Sequence, residues 1–367
     1  MARLQRVILN GFKSIREMDL ELRPLNVLVG ANGAGKSNLV SFFKMLNEMM
    51  GMRLQTYIGK TGRAHSLLHF GPKVTPQIVA QLVFESDNVS TYTMRLFHAA
   101  GDTLIFAEEK LSFLRTGSKK PQEVNLGSGH AETRIVQKAE EGDQTARVFK
   151  RFLDYCRVYH FHDTSPTAPV RDYCYVGSNR WLMPDAGNLA AVLLRLREHH
   201  GATYKRIVGT IRLIAPFFND FDLEPTGPGG KDIILNWRDR ESEQVFGPHQ
   251  LSDGTLRAIC LVTLLLQPED ELPDLIVVDE PELGLHPYAL STVADLFKKA
   301  SHHTGILVAT QSSSFLDSFG PEDVVVVNRE YRASRFERQG SAELEKWLDE
   351  YSLGEVWEKN VIGGGPH

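Results

Sequence analysis

Two hydrophobic rhythms run along this chain, and their alternation marks out the elements. Residues 4–9 carry the apolar positions of a first strand, and Asn10-Gly11 offers a turn. A second strand follows over residues 18–22, with Leu20 and Leu22 alternating with acidic residues until Pro24 ends it. Residues 25–29 form a short unbroken apolar run, which suits a strand buried on both faces. It stops at Gly30. Past a glycine-rich octet, Leu39, Phe42, Phe43 and Leu46 take up helical spacing and predict a buried helix over residues 37–50. From about residue 73 to 126 the period falls to two. Ile78, Ala80, Leu82 and Phe84 share one face, Asp87-Asn88 and Ala100-Gly101-Asp102 supply turns, and further runs fall at 92–97 and 104–106. That pattern predicts an antiparallel sheet in the first half.

Residues 117–142 lose all periodicity. With Ser118-Lys119-Lys120-Pro121 and Gly127-Ser128-Gly129, this most polar stretch reads as an exposed loop. A helix capped by Asp143 follows to about residue 156, with Ala146, Phe149, Phe152 and Leu153 on one stripe. Leu189, Val192, Leu193 and Leu196 mark a second helix, and Ile207, Ile211 and Ile214 a third that Pro216 terminates. A Gly/Pro linker at 225–230 precedes a hairpin predicted from 233–237 and 245–246. The last third alternates: helix over 256–266, apolar strand over 275–278, helix over 287–300, strands at 305–310 and 324–327. The fold class is therefore α/β, with a mixed central sheet, an N-terminal antiparallel portion and a helical insertion. In such a fold the ligand lies at the carboxyl ends of the strands. The expected parts of the chain are 1–116, 117–230 and 231–367, within one unit spanning 1–367.

Between strand and helix, Gly30-Ala31-Asn32-Gly33-Ala34-Gly35-Lys36-Ser37 has the spacing of a Walker A phosphate loop. Its glycines let backbone N–H groups turn inward, and the helix start adds its positive dipole end. Lys36 is placed to reach the β- and γ-phosphates of a nucleoside triphosphate, and the Ser37 hydroxyl to hold Mg²⁺. In the second half Asp279 ends an apolar strand, where a carboxylate can meet the same ion. Glu280, beside the metal without ligating it, suits acceptance of a proton from the attacking water.

Composition narrows the setting. The chain has 367 residues, 42% of them hydrophobic, enough for a substantial core. A net charge of −5 and a pI near 6.2 exclude any global pull toward nucleic acid or anionic membrane. Cys156, Cys174 and Cys260 have no C-x-x-C spacing, which argues against a zinc site or disulfide frame. The longest apolar run, residues 259–266, is far below the ~20 residues a membrane span needs, and no charged-then-apolar leader opens the chain. The expectation is a soluble, cytoplasmic protein without membrane contact.

Further segments carry a resemblance: Phe12-Lys13-Ser14-Ile15, Asn38 after the loop, Gly187-Asn188-Leu189, Leu251-Ser252-Asp253-Gly254, residues 279–287 (DEPELGLHP) and Thr310-Gln311-Ser312. Over nearly its whole length the chain resembles ABC-type ATPases of the RecF, SMC and OLD branch. It is similar to the stand-alone AAA-type ATPases encoded beside an effector nuclease in phage-defence operons. The resemblance implies ATP and Mg²⁺ as ligands, ATP hydrolysis, and a homodimer packed head to tail around ATP. Ser252 and the backbone of Gly254 would complete the γ-phosphate site of the opposite copy. What is switched would be DNA engagement or a separately encoded, nuclease-like effector, with housekeeping DNA repair as the alternative setting. A transporter nucleotide-binding subunit is disfavoured, because the stretch between Ser37 and Ser252 is longer than such a head needs. Taken as a bare tetrapeptide, residues 251–254 read equally as a helix cap.

The chain departs from the family pattern at Gln311, which stands where a switch histidine is usual. Glutamine can hydrogen-bond γ-phosphate or water but does not titrate near neutral pH, which implies slow turnover. His162-Asp163-Thr164 is the nearest match to the glutamine-bearing loop and reads equally as an ordinary polar loop. His286 falls at a dimer-contact position or is a structural histidine. No long coiled coil, zinc hook or further domain of about 100 residues is visible, so nuclease chemistry is expected on another polypeptide. Candidate DNA contacts are Arg53, Lys60, Arg63, Lys119, Lys120, Arg147, Lys150, Arg151 and Arg157; given the negative balance, a solvated basic face is the plainer reading of them.

Overall fold

A computed structural model describes residues 3–86, 88–114, 116–117, 120–338 and 347–365; Asp87, Ser118 and Lys119, named above, lie outside the described residues. In chain order its first elements are β1 (Arg3–Phe12), β2 (Ile15–Glu21), β3 (Leu25–Val29), α1 (Lys36–Met50), α2 (Leu54–Lys60) and α3 (Arg63–Leu67). Then come β4 (Gln77–Glu85), β5 (Val89–Ala99), β6 (Thr103–Leu114), β7 (Gln122–Gly127), α4 (Arg134–Glu140), α5 (Gln144–Asp154), β8 (Cys156–Tyr159) and β9 (Cys174–Tyr175). The middle holds α6 (Leu189–His199), α7 (Gly201–Ile214), β10 (Phe218–Asp222), β11 (Asp232–Ile233), β12 (Asn236–Asp239), β13 (Val245–Phe246) and α8 (Asp253–Leu265). The last are β14 (Leu275–Asp279), α9 (Pro287–Ser301), β15 (Gly305–Thr310), α10 (Ser313–Leu316), β16 (Val324–Glu330), β17 (Ala333–Arg338) and a closing helix, Leu353–Glu358. Two units divide the chain discontinuously. One comprises the residues up to Val158, Pro273–Val277 and those from Thr304 on; the other comprises Tyr159–Leu272 and Val278–His303.

The first unit contains two six-stranded sheets. One is antiparallel in the order β2-β1-β4-β5-β6-β7, and the expected face of Ile78, Ala80, Leu82 and Phe84 is buried. The other has the order β17-β16-β3-β15-β14-β8, with β3 parallel to both of its neighbours. All five residues of β3 are buried, as a strand covered on both faces must be. Helix α1 buries Leu39, Val40, Phe42, Phe43, Met45, Leu46, Met49 and Met50, too many for one stripe, and they join a core drawn from both sheets.

Three local expectations are corrected. Asn10-Gly11 is not the turn: β1 runs on to Phe12 and the chain reverses at Lys13-Ser14, because Gly11 is needed where a Cβ would lie 2.4 Å from the Gln77 carbonyl oxygen. Residues 117–142 are not simply an exposed loop. β7 pairs with β6 and buries Leu126, and α4 starts from a capping Thr133. The polar run is ordered by Glu109 on β6, a fully buried carboxylate that accepts hydrogen bonds from Tyr92 (2.9 Å), Thr133 Oγ1 (2.5 Å) and the Arg134 amide (2.9 Å). Burial, reinforced by that carboxylate, pushes the Tyr92 phenol well above its ordinary pKa. A partner 24 residues upstream is invisible to a local reading of polarity.

The second unit is built on α6, α7, α8 and α9. α8 is buried from Ala258 through Leu265, and a bidentate Arg195–Glu271 pair with both bonds at 2.6 Å braces α6 to the turn after α8. Its β portion is the third correction: β12 pairs with β13, but Ile233 joins a separate ribbon opposite Cys174. Trp237 lies opposite Phe246 and stacks on it at 4.9 Å, which fixes the register of the hairpin that does form.

Candidate functional site

β3 delivers Gly30 to its carboxyl end between β15 and β16, and each loop residue is shaped by what surrounds it. A Cβ on Gly30 would lie 2.3 Å from the Val327 carbonyl oxygen on β16, so only glycine passes there. Gly33 and Gly35 adopt φ of 76° and 118°, the left-handed region that favours glycine. Between them Ala34 N–H closes a turn onto Ala31 O at 3.1 Å. The Gly33 and Ala34 carbonyls turn out to Arg329 (3.4 Å) and Ser334 (2.5 Å). In a planar trans peptide the Gly35 N–H that follows the Ala34 carbonyl points the opposite way, as in an anion nest, while the Ala34 N–H is taken up by the turn.

Lys36 opens α1 and is only 4% exposed; its Nζ lies 2.5 Å from Gly30 O and 3.3 Å from Ala31 O. Beside it Ser37 is exposed, as is Asn32, so a hydroxyl and the loop apex face outward. Asn38 behaves differently. Its amide donates to Ser14 at 2.5 Å, and Ser14 meets Ser334 at 2.6 Å, which ties the loop to the β1–β2 turn and to β17. Register sets Thr310 of β15 opposite Val29, so Gln311 leaves the sheet at the same edge as Gly30.

In the second unit the signature segment, the 161–164 loop and the residues after β14 converge. Ser252 is an exposed N-cap of α8, its Oγ accepting from the Thr255 amide at 3.2 Å. Gly254 is packed so closely that a Cβ would lie 2.1 Å from Gly284 O. His162 Nε2 lies 2.7 Å from the Asp279 carbonyl; a carbonyl only accepts, so this nitrogen carries the proton. Asp279 and Glu280 are half-buried. Glu280 has φ of 43°, a left-handed conformation rare for a residue with a side chain, and it precedes Pro281. His286 caps α9, its Nδ1 accepting from Tyr288 N–H at 3.4 Å.

Sequence reasoning assigned no contact to four arginine and serine positions that hold these segments. Ser14 and Ser334 link to the phosphate loop as described. Arg171 is 5% exposed and donates to Thr164 O (2.8 Å), Pro248 O, Leu251 O and Asp253 (2.8 Å). Arg257 is the fourth, and a signal for it existed: it is the lone charge in the apolar run 256–266. The basic residues proposed for DNA contact are largely engaged locally. Arg53 pairs with Glu48 (2.7 Å) and Lys150 with Asp154 (2.5 Å), Arg147 reaches Ala139 O, and Arg151 and Arg157 lie over the Tyr155 ring. Lys60, Arg63 and Lys120 are exposed.

Residues 25–317, from β3 through α10, match the family described as "AAA domain, putative AbiEii toxin, Type IV TA system". The chain belongs to this family. Its fold is similar to that of SMC heads: 94% of it superposes on 99% of a SmcHead, solved bound to the C-winged helix domain of ScpA, with TM-score 0.59 at 16% identity. A Pyrococcus furiosus Smc head with an extended coiled coil, bound to the C-terminal domain of ScpA, aligns with 95% of this chain and 99% of its own, with TM-score 0.56 at 14% identity. No curated protein matches the chain. Membership brings nucleotide binding with it, and the cradle around residues 30–37 suits a triphosphate. Among the described residues no helix is long and apolar enough to cross a membrane.

Proposed function

We propose that this chain hydrolyses ATP and acts as an ATP-controlled switch. The observation that carries the reading is the left-handed Glu280 directly after Asp279, at the end of an apolar strand in a family member with an intact phosphate loop. Strain of about 1–3 kcal/mol at a non-glycine residue persists only where its surroundings impose it, and such positions cluster at functional sites.

In this reading the amides of residues 31–37 and the Lys36 ammonium bind the phosphates. Lys36 exchanges carbonyl partners for phosphate oxygens, a stronger charge-assisted bond. Ser37 and Asp279 would hold Mg²⁺, which when bound neutralises charge on the β- and γ-phosphates. The Glu280 carboxylate orients a water and takes its proton as the oxygen attacks the γ-phosphorus and the bond to the β-phosphate oxygen breaks, releasing ADP and phosphate. Gln311 hydrogen-bonds the γ-phosphate or that water. Ser252, exposed at a helix start, and the Gly254 amide serve the γ-phosphate of a second copy, so ATP joins two chains. Ser252 then exchanges its cap bond for an intermolecular one. The family's printed description, "putative AbiEii toxin, Type IV TA system", favours a defence setting over housekeeping repair.

Glu280→Gln tests the assignment. It should lower phosphate release on the order of 10²–10⁴-fold while ATP affinity is retained and the ATP-bound dimer accumulates on gel filtration. Normal turnover in that variant removes Glu280 as the base. Ser252→Ala should weaken ATP-dependent dimerisation without weakening nucleotide binding; an unchanged dimer removes the trans role.

A further inference from the structure

One guanidinium gathers three segments that chemistry on ATP would need to move together. Arg257 lies on α8 about one turn beyond the Ser252 cap. Its Nε donates to Phe161 O at 3.1 Å, one terminal nitrogen donates to His162 O at 2.7 Å and approaches Thr164 Oγ1 at 3.4 Å, and the other donates to Leu283 O at 3.0 Å. All three backbone acceptors are carbonyls rather than carboxylates, so the fork places backbone without neutralising a charge. Each contact also leads onward. Phe161 and Thr164 flank His162, whose ring holds the Asp279 carbonyl at 2.7 Å. Leu283 belongs to the tight turn leaving Glu280, with Leu283 N–H on Glu280 O at 3.3 Å. The turn presses on α8 a second time, where Gly254 leaves no room for a Cβ against Gly284 O. Arg171 anchors the same 161–164 segment to the residues before α8 through Thr164 O and Leu251 O.

We infer that Arg257 is a positioning residue: it transmits a shift of the Ser252–Gly254 helix start to the Asp279–Glu280 strand end, through Leu283 and through His162. A rigid helix carries a displacement at its first turn to its second, and a fork bonded to two loops moves both. Lysine offers one ammonium without a planar fork and cannot hold three carbonyls in fixed directions. The unusual φ of Glu280 supplies the element that responds, because a strained backbone needs its neighbours in place to persist. The catalytic part of this inference rests on Glu280 as the base; the mechanical part does not.

Two measurements on the full chain test it. Arg257→Gln should lower kcat on the order of 100-fold, the scale of a misplaced catalytic group, with the KM for ATP within about threefold of the parent. Arg257→Lys should fall between the two, and the Arg257→Gln/Glu280→Gln double variant should be no slower than Glu280→Gln alone. Independently of turnover, hydrogen exchange of the amides at 282–286 should slow when ATP is added to the parent. In Arg257→Gln that slowing should be lost while residues 30–38 remain protected. Undiminished protection of 282–286 in Arg257→Gln, or in Arg257→Lys if the glutamine variant does not fold, overturns the inference whatever Glu280→Gln shows. If instead Glu280→Gln turns over normally while protection depends on Arg257, the positioning role stands and the base assignment falls.

Discussion

Around Gly30 to Ser37 the chain is shaped first by steric exclusion: glycines at left-handed φ and no space for a Cβ beside Val327, with side-chain donors of Arg329 and Ser334 on its outward carbonyls. Around Ser252 to Leu285 it is held by side chains reaching across to carbonyls, chiefly from Arg171 and Arg257, with a residue bearing a side chain, Glu280, forced into the conformation glycine prefers. Steric exclusion has one solution and fixes a loop in place. A guanidinium fork carries the backbone it holds along with the element it sits on, so the segments it joins move together. The first region is thus suited to holding a ligand of constant shape, and the second to changing when something arrives.

Substitutions should respond accordingly. Gly30→Ala should have the largest effect, costing about 3 kcal/mol because the new methyl meets backbone that cannot rotate away. Urea unfolding would read it, and an unchanged midpoint would show the loop to be more yielding than its packing implies. Arg171→Gln should cost about 2 kcal/mol, as buried carbonyls of Thr164, Pro248 and Leu251 lose donors. Because its contacts lie away from the phosphate loop, ATP binding by the folded variant should persist; a parallel loss of affinity would blur the distinction between the regions.

Glu271→Gln should cost about 1 kcal/mol at neutral pH. Its hydrogen bonds from Arg195 outweigh desolvation and hold the carboxyl below the usual glutamate range. A depressed carboxylate contributes stability that is complete above its unfolded pKa and lost as pH falls through the folded one. The gap between parent and variant midpoints should therefore narrow as pH falls through the depressed pKa of the folded carboxyl. Smallest of all, Glu280→Gly should raise stability by about 0.5 kcal/mol, relieved strain slightly exceeding the added freedom of glycine in the unfolded chain. A fall in the melting midpoint would mean that the Glu280 side chain contributes more by its contacts than its backbone costs.

The phosphate loop, the strands at its sides and the helices after Asp143 and around Leu193 were legible because short-range signals determine them: glycine spacing, apolar runs and a capping aspartate whose side chain does accept from the Ala146 amide at 2.8 Å. The 117–142 segment was misread because its order comes from Glu109, and the Asn10-Gly11 turn because the glycine serves a close approach to β4. Arg171 and Arg257 were not assigned roles, since a guanidinium's acceptors here are carbonyls that any residue carries and no residue type announces.

By itself, the sequence determined that a glycine-rich loop with phosphate-loop spacing follows β3 and that acidic residues end β14, since glycine permissiveness, apolar runs and charge act over a few residues. Only the tertiary structure decided which carbonyls Arg257 gathers, that Gly254 must clear Gly284, and that Glu280 is left-handed. Those facts arise from packing between segments tens of residues apart, where backbone atoms identical along the whole chain become distinct only by where folding puts them.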